Sequence, residues 1–455
     1  MKVSYRGSGK VLLLDKEYRC DLYYNDDMGG ALIKIDYPKR FGSLSEFPMK
    51  LSYMSGNLDN GFKFTLFRAY RTQAVNMTSY GKTVYTYEVD YIFCGVESAN
   101  GKELLFNKAE YTISEIVEWG CESLYEIDNN YALSNKKNLP DICLYSNDEY
   151  SINYTLSGSF LPYDNRELLR DNINIEQRGE IIISSNKGRD FEFFEKVFRS
   201  VKGLIELSML RQINIERLNL FSEDLYESYG DFKINIPVRV HGYNIIDKEI
   251  AEYNYSSNMI QCVFLPDLIK NQSFTYYFEK YKLLEPVIEL YLELFEKDNS
   301  NIRRFLNVVQ ALETFHSRFV TNDIAEYRKR VNEITKNDNP EIESRNKRLL
   351  EQKKGRNIIL KSRIADLLYA EGDVYFETDQ IDRESFPDII AKTRNYYIHY
   401  DEKIKEEYTV LEVDELGRAN NTLCFILEYY IFKEIGFEVN NIEFREKLML
   451  RWRRF

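Results

Sequence analysis

The sequence predicts an α+β protein of two parts, with a β-rich region over residues 1–265 and an all-helical region over residues 266–455. Two patterns support this fold class. Up to residue 185 the chain is rich in β-branched and aromatic runs, which in places alternate with polar residues as strands do. From Leu268 onward the apolar residues recur with the period of an amphipathic helix. The hydrophobic content of 44%, with 36 Tyr and 28 Phe, supplies enough apolar side chains for a folded protein of two or three domains.

The first 185 residues are expected to form an antiparallel sandwich or barrel. The tripeptides Asp59-Asn60-Gly61 and Ala99-Asn100-Gly101 are turn signals between strands. One short helix is expected near residues 113–119. The predicted strands cover residues 11–14, 31–35, 61–67, 83–93, 150–156 and 173–184.

A middle block follows, in which the apolar period changes from strand to helix and back. Residues 190–211 carry apolar side chains on one helical face, and strands are expected at 213–220, 234–240 and 260–265, where Pro266 ends the block. The block is either a small α+β domain that begins near residue 185 or the second half of one N-terminal unit.

The C-terminal region is expected to be a helical bundle in the broad sense. The tetrapeptide Asn337-Asp338-Asn339-Pro340 interrupts the helical pattern, and Gly436 ends the last predicted helix. The predicted helices cover residues 276–295, 302–320, 323–335, 349–369, a segment that follows Ser385, and 411–435.

Charge and cysteine usage exclude several classes of function. A chain with a formal net charge of -12 does not bind nucleic acid through its overall electrostatic field, so any RNA contact must be local. The six cysteines are scattered without a Cys-x-x-Cys pair, which favours reduced core thiols over disulfides or zinc. No apolar stretch is long enough for a secretory signal or a membrane span, so a soluble cytoplasmic protein without a membrane partner is expected.

Two basic stretches could supply the local RNA contact, and each could equally be a solvated helix face or loop. The C-terminal stretch comprises Arg445, Lys447, Arg451, Arg453 and Arg454, beside Trp452. The other comprises Arg345, Lys347, Arg348, Lys353, Lys354, Arg356, Lys361 and Arg363. Within it, Lys353, Lys354 and Arg356 are the candidate RNA contacts.

The segment from Thr393 to Tyr400 holds one of only three histidines in the chain. Ser385 is a plausible N-cap for a helix here, and Pro387 and Asp388 suit its first turn. The helical wheel places Arg394, Asn395, His399 and Lys392 away from the face expected to be buried. That face carries Ile389, Ile390, Thr393, Tyr396, Tyr397 and Tyr400.

These residue types suit metal-free cleavage of RNA through its own 2′-hydroxyl. Histidine exchanges protons near neutral pH, and arginine holds a phosphate through two parallel hydrogen bonds. Asn395 lies four positions before His399 and could orient its ring. Five helical positions, however, separate Arg394 from His399 by roughly 140° around the axis. One copy therefore serves a single phosphate poorly, whereas two copies across a two-fold axis would serve it better.

The Arg-Asn-x-x-x-His-Tyr pattern, late in a helical domain, resembles the R-x(4-6)-H motif of HEPN ribonucleases. The stretch from Arg304 to His316 resembles the opening helix of the ApeA-like HEPN subfamily. The resemblance covers roughly the last 175 residues, and that family also carries a large β-rich N-terminal domain. It implies a dimeric endoribonuclease of antiviral abortive-infection defence.

By this resemblance, His399 is the general acid or base, Arg394 neutralises the scissile phosphate, and Asn395 orients either one. Glu313 is a further candidate. The substrate would be single-stranded or loop RNA, such as a tRNA or another structured RNA, and the product a 2′,3′-cyclic phosphate. No cofactor is expected, and the N-terminal region would bind a phage-derived trigger. The alternative is a non-catalytic HEPN scaffold with a partner-binding N-terminal region.

Three other patterns favour a structural interpretation. Glu313-x-x-His316 has the spacing of di-metal bundles but occurs once, so a structural pair at the bundle seam, or Glu313 reaching the cleft, is preferred to a metal site. His241 stands at a predicted strand end without a placed nucleophile, so no triad is argued. Asn186-Lys187-Gly188-Arg189 lacks a P-loop pattern and is interpreted as an ordinary turn before a helix.

Overall fold

The computed structural model of the chain separates into two compact units. One comprises Met1–Val201 and Ile213–Tyr253, and the other comprises Lys202–Gln212 and Asn254–Phe455. The structure describes residues 4–25, 30–38, 47–77, 80–98, 104–138, 141–159, 175–230, 232–242, 244–245, 262–295, 299–336, 350–352, 355–369 and 385–452.

The first unit is built mainly from antiparallel strands. Its described strands are β1 (Ser4–Leu13), β2 (Lys16–Asn25), β3 (Gly30–Tyr37), β4 (Lys50–Leu58), β5 (Lys63–Met77), β6 (Lys82–Cys94), β7 (Phe106–Ile113), β8 (Tyr125–Ile127), β9 (Leu133–Asn135), β10 (Asp141–Ser146), β11 (Tyr150–Gly158), β12 (Gln177–Arg189), β13 (Ile215–Phe221), β14 (Tyr226–Tyr229), β15 (Phe232–Asn235) and β16 (Val238–Gly242).

Six of these strands close into a barrel, which confirms one of the two predicted β architectures. The order β6-β3-β2-β1-β4-β5 is closed by direct pairing of β5 with β6, so no edge of the barrel is left open. Strand β6 pairs with β3 up to Val89, and with β16 from Tyr91 onward. It thereby carries the sheet out of the barrel into the order β16-β13-β7-β12-β11-β10.

Among the described residues, two helices accompany these strands, α1 (Ile116–Gly120) and α2 (Phe191–Met209). Helix α2 begins after Asp190, whose carboxylate accepts the backbone N–H of Phe193 at 2.7 Å as an N-cap. Within the first unit, Phe198 of α2 stacks on Tyr111 of β7 with ring centroids 3.8 Å apart. Aromatic packing therefore holds the first half of α2 against the sheet.

Several details of the β-rich region differ from the sequence predictions. Strands β2, β4, β7 and β10 were not predicted, because their solvent-facing positions carry charged or polar residues that dilute the apolar pattern. Residues 186–189 end strand β12 instead of forming a turn. The strand predicted at 260–265 is wrong for residues 262–265: Cys262–Phe264 lie outside any strand, and Leu265 begins a helix. Residues 260–261 lie outside the described part of the chain.

The second unit is helical, as predicted. Helix α4 (Ser273–Leu292) continues into a 3-10 turn, Glu293–Phe295, and helix α5 (Asn301–Phe315) continues into a π-helical turn, His316–Val320. The described helices are α3 (Leu265–Lys270), α4 (Ser273–Leu292), α5 (Asn301–Phe315), α6 (Ile324–Lys336), α7 (Leu360–Tyr369), α8 (Phe386–His399), α9 (Glu402–Glu407), α10 (Leu416–Glu434) and α11 (Ile442–Trp452).

Helix α10 is the central element of this unit. Every residue from Leu423 to Phe432 is buried, which is the pattern of a helix enclosed by its neighbours on all sides. On it, Tyr430 packs beside Phe315 of α5 and donates a hydrogen bond to the carbonyl of Leu367 in α7 at 2.5 Å. Gly436 follows the helix with a φ of 97°, so the predicted end is confirmed.

Helix α7 is shorter than the predicted helix 349–369 and begins only at Leu360. Gly355 has a φ of 107°, and the Gln352 side chain hydrogen-bonds the backbone of Asn357 and Ile359, so residues 355–359 stay outside the helix. The predicted break at 337–340 lies outside the described residues. Across the described ranges, no helix has both the length and the apolar character needed to span a membrane.

Candidate active site

Helix α8 carries the predicted catalytic motif and has well-defined ends. It begins after Ser385, whose carbonyl accepts the N–H groups of Asp388 and Ile389, while its side chain makes no capping hydrogen bond. It ends at His399, because Tyr400 adopts a left-handed conformation with a φ of 49°. His399 therefore lies in the last helical turn, where unpaired carbonyls create a negative potential.

The buried face of α8 fixes the orientation of the motif. Thr393 Oγ1 accepts the N–H of Leu411 at 3.1 Å, and the Tyr397 hydroxyl donates to the carbonyl of Leu411 at 3.0 Å. Ile390 is fully buried on the same face. Tyr400 was predicted to belong to this face but is 59% exposed, because its left-handed backbone turns the side chain off the helical register.

Arg394 is half-buried and has two neighbours. Its Nη1 donates to Asn395 Oδ1 at 3.3 Å, and its Nη2 lies 3.7 Å from Oε2 of Glu313 on α5. The second distance is an ion pair without a close hydrogen bond, and about a third of each side chain is exposed. Glu313 therefore attracts the Arg394 guanidinium without holding it in one fixed position.

His399 is exposed, as the helical wheel predicts, and its ring makes no hydrogen bond or ion pair with the described residues. Asn395 is in contact with Arg394 instead of with the imidazole. The five-residue spacing puts Arg394 and His399 about 7.5 Å apart along the helix axis and about 140° apart around it. Within one chain these two side chains face different directions.

The other residues predicted to contact RNA differ in their surroundings. Lys392 lies with its ammonium 3.5 Å from the centroid of the Tyr408 ring, a cation–π contact. Arg356 is exposed and has no polar partner in the described part of the chain. Lys353 and Lys354, like Arg345, Lys347 and Arg348, lie outside the described residues.

The basic stretches do not form continuous surfaces within the described chain. Lys361 pairs with Asp388 at 3.0 Å, and Lys447 pairs with Asp267 at 2.8 Å. Arg363 and Arg451 are buried, 5% and 0% exposed. These two arginines are core residues, and an RNA-contacting role for them is wrong; Arg453 and Arg454 lie outside the described residues.

Glu313 and His316 do not form a structural pair, the first of the two alternatives that their spacing leaves open. His316 is fully buried, with Nε2 2.8 Å from Asp366 Oδ2 and Nδ1 3.1 Å from Arg363 Nη1. Glu313 lies on the exposed side beside Arg394. Sequence reasoning missed Asp366 and the burial of Arg363, because contacts between residues some fifty positions apart leave no local pattern.

The remaining polar candidates are accounted for by packing. His241 in β16 is buried, with its ring 5.1 Å from that of Tyr24. All six cysteines are free, but Cys121 and Cys143 are exposed, so the prediction of core thiols is wrong for these two. In the described residues, no cluster of three or more His, Cys, Asp and Glu side chains is arranged to hold a metal ion.

Comparison with known families accounts for both units. A family model described as Apea-like HEPN matches residues 306–441, which include Glu313, Arg394 and His399. A second, described as ApeA N-terminal domain 1, matches residues 7–277, more than half of the chain. No curated protein and no solved structure matches. HEPN domains are generally nucleases that commonly dimerise and bind RNA, and the two matches support an anti-phage role. The chain belongs to the ApeA family, and joins an ApeA N-terminal domain to an Apea-like HEPN domain.

Proposed function

We propose that this protein is an endoribonuclease that cleaves RNA without a metal ion, at a site formed by Arg394 and His399 from two copies of the chain. The observation that carries the proposal is the placement of both side chains on one helix of the HEPN domain, accessible to solvent but facing different directions. A second copy, related by a two-fold axis, would bring His399 of one chain opposite Arg394 of the other.

The chemistry follows from the side chains. The attacking 2′-hydroxyl must lose a proton and the leaving 5′-oxygen must gain one, and an accessible imidazole can serve in either step. Negative charge develops on the phosphate, where the guanidinium of Arg394 supplies two parallel donors. Breaking the P–O5′ bond through attack of the 2′-oxygen leaves a 2′,3′-cyclic phosphate and a 5′-hydroxyl, and neither step requires a metal.

The surface around His399 favours assembly. Its two neighbours in sequence are exposed apolar residues, Ile398 at 44% and Tyr400 at 59%. Tyr408 and Val413 add exposed apolar area in the segment that follows. A second copy would remove such area from water, which is the usual driving force for a homodimer.

Asn395 and Glu313 are assigned supporting roles. Asn395 accepts from Arg394 and holds one edge of the guanidinium, which leaves the rest available for phosphate. Glu313 steers the other side of Arg394 through the 3.7 Å ion pair. Because bases must be accessible, the substrate class is single-stranded or loop RNA, such as a tRNA or another structured RNA loop.

The N-terminal region, placed at residues 1–265, is assigned the recognition of a phage-derived trigger in abortive-infection defence. A ribonuclease that stops growth must be restrained until infection. Several large apolar side chains of this region are exposed, including Tyr80 and Phe232 at 75% each. Exposed aromatic residues favour recognition surfaces. RNA ends sequenced from cells with and without infection test this role, and equal cleavage in both would contradict it.

The catalytic assignment is tested with single-stranded RNA, EDTA and protein purified from phage-infected cells, in which the proposed trigger has acted. We expect cleavage to continue, with 2′,3′-cyclic phosphate ends, and we expect His399→Ala and Arg394→Ala to abolish it while the thermal midpoint stays near that of the wild type. Lys403→Ala, which removes an exposed cation from the adjacent helix α9, is the matched control and should stay active.

Two outcomes would change the assignment. Cleavage that stops with EDTA and returns with a divalent ion would overturn the metal-free mechanism. A protein from phage-infected cells that binds RNA but never cleaves it would support a non-catalytic HEPN scaffold.

A further inference from the structure

A buried polar cluster begins one helical turn beyond Glu313, at His316. The His316 Nδ1 lies 3.1 Å from Nη1 of Arg363, and a guanidinium can only donate. Nδ1 is therefore the acceptor, and the ring carries its proton on Nε2, which donates to Asp366 at 2.8 Å. Arg330 also donates to Asp366, at 3.3 Å from Nη2. This pattern fixes both the tautomer and the orientation of the buried ring.

Arg363 is the unusual member of this cluster. It is 5% exposed, yet every partner that it has among the described residues is neutral: His316 Nδ1, the Thr321 carbonyl at 3.4 Å, and Asn322 Oδ1 at 2.7 Å. Its Nε has no hydrogen-bond partner in the same part of the chain. A buried cation without a hydrogen-bonded carboxylate is costly, so its charge acts on any carboxylate nearby.

Glu313 is that carboxylate. Glu313 and His316 are three residues apart and so are neighbours across one helical turn, which places the Arg363 guanidinium, bound to His316, within one turn of Glu313. Burial lowers the pKa of Arg363, and Glu313 is the strongest charge that opposes this shift. Glu313 therefore interacts electrostatically with two cations, Arg394 at 3.7 Å and Arg363, whose guanidinium is bound to His316 one helical turn away.

We propose that Arg363 is a positioning residue for the candidate site, whose charge weakens the hold of Glu313 on Arg394 so that Arg394 stays available to a phosphate. The like charge of Arg363 repels Arg394 and so offsets part of the attraction that Glu313 exerts on it. This arrangement is consistent with the loose 3.7 Å ion pair at Arg394. The inference rests on the proposed function only in assigning a phosphate to Arg394.

The test is a double-mutant cycle between Arg363→Gln and Glu313→Gln, in the full chain. The readout is the Kd for a 2′-O-methyl RNA oligonucleotide, which lacks the attacking hydroxyl and so reports binding without cleavage. Arg363→Gln should weaken binding about tenfold in the wild-type background, because Glu313 then holds Arg394 more tightly. In the Glu313→Gln background the same change should weaken binding less than about twofold.

Two further variants keep the test decisive. Arg303→Gln removes a positive charge from an exposed position on α5 and should leave the Kd unchanged, which controls for net charge. If Arg363→Gln fails to fold, Arg363→Met also removes the charge while filling the buried site with an apolar side chain, and should give the same pattern.

Equal weakening in both backgrounds would overturn the inference, since Arg363 would then act on RNA directly or through the fold. The dependence on Glu313 in a protein that does not cleave RNA would support the inference while the proposed function fails. Normal cleavage of unmodified RNA without that dependence would reject the inference alone.

Discussion

Replacing Arg451 tests whether the C-terminal helix is anchored in the helical unit by a buried ion pair. Arg451 Nε lies 2.9 Å from Glu428 Oε2, and both side chains are 0% exposed. The guanidinium also donates to the carbonyls of Leu207 and Ser208, at 2.7 and 2.9 Å, and the Tyr291 hydroxyl donates to Glu428. Burial alone would lower the pKa of Arg451, but Glu428 and Tyr291 together raise it.

Arg451→Met removes the cation and leaves Glu428 buried with a hydroxyl partner. Breaking a buried ion pair in this way costs about 3–5 kcal/mol. A change of 1 kcal/mol shifts the midpoint of a domain of this size by about 2–4 °C, so we expect the thermal midpoint of the helical unit to fall by roughly 6–20 °C. Circular dichroism at the helical signal measures it, with Arg445→Met on the same helix as the matched control.

A double variant shows where the cost arises. Glu428→Gln removes the buried negative charge that Arg451→Met leaves unpaired. The double variant should therefore lose less free energy of unfolding than the sum of the two single variants. A midpoint for Arg451→Met within 2 °C of the wild type, or strictly additive losses, would refute the reasoning.

Three further predictions concern single positions. Burial raises the pKa of Asp90, so the ionised carboxylate destabilises the folded state at pH 7. Asp90→Asn should therefore raise the free energy of unfolding at pH 7. Chemical unfolding should show this increase vanish below the ordinary carboxyl pKa of 3.8. Iodoacetamide followed by mass spectrometry should label the exposed Cys121 and Cys143 rapidly but not Cys20, because burial raises the pKa of the Cys20 thiol to about 12. Gly436→Ala should cost about 1–3 kcal/mol in urea unfolding, since its φ is 97° and a Cβ would lie 2.5 Å from the Asn271 carbonyl oxygen; a stable Ala variant would contradict that geometry.

The sequence predicted the architecture where the pattern is local. The change from alternating to helical periodicity separates the β-rich region from the helical one, and the wheel of α8 correctly removes Arg394 and His399 from the buried face. Strand β2 was missed because its exposed positions, such as Lys16, Glu17 and Arg19, hide the apolar alternation.

The candidate site was predicted only in part, because its surroundings depend on distant contacts. Arg363 looks in sequence like any member of a basic stretch, and its burial follows from α7 packing it against His316 and Asn322. The same holds for Arg451, whose partner Glu428 is 23 residues away. The helical wheel places Tyr400 on the buried face of α8, but in the structure its side chain is exposed. Its left-handed backbone ends the helix, so the helical period no longer applies to it.

The central claim is that Arg394 of one copy acts with His399 of another. The most direct measurement is RNA cleavage by a heterodimer of Arg394→Ala and His399→Ala, purified from phage-infected cells through a different affinity tag on each subunit. Such a heterodimer holds one intact pair out of two, so the account predicts about half of the wild-type activity from two inactive variants. A heterodimer as inactive as its parents would contradict the shared site.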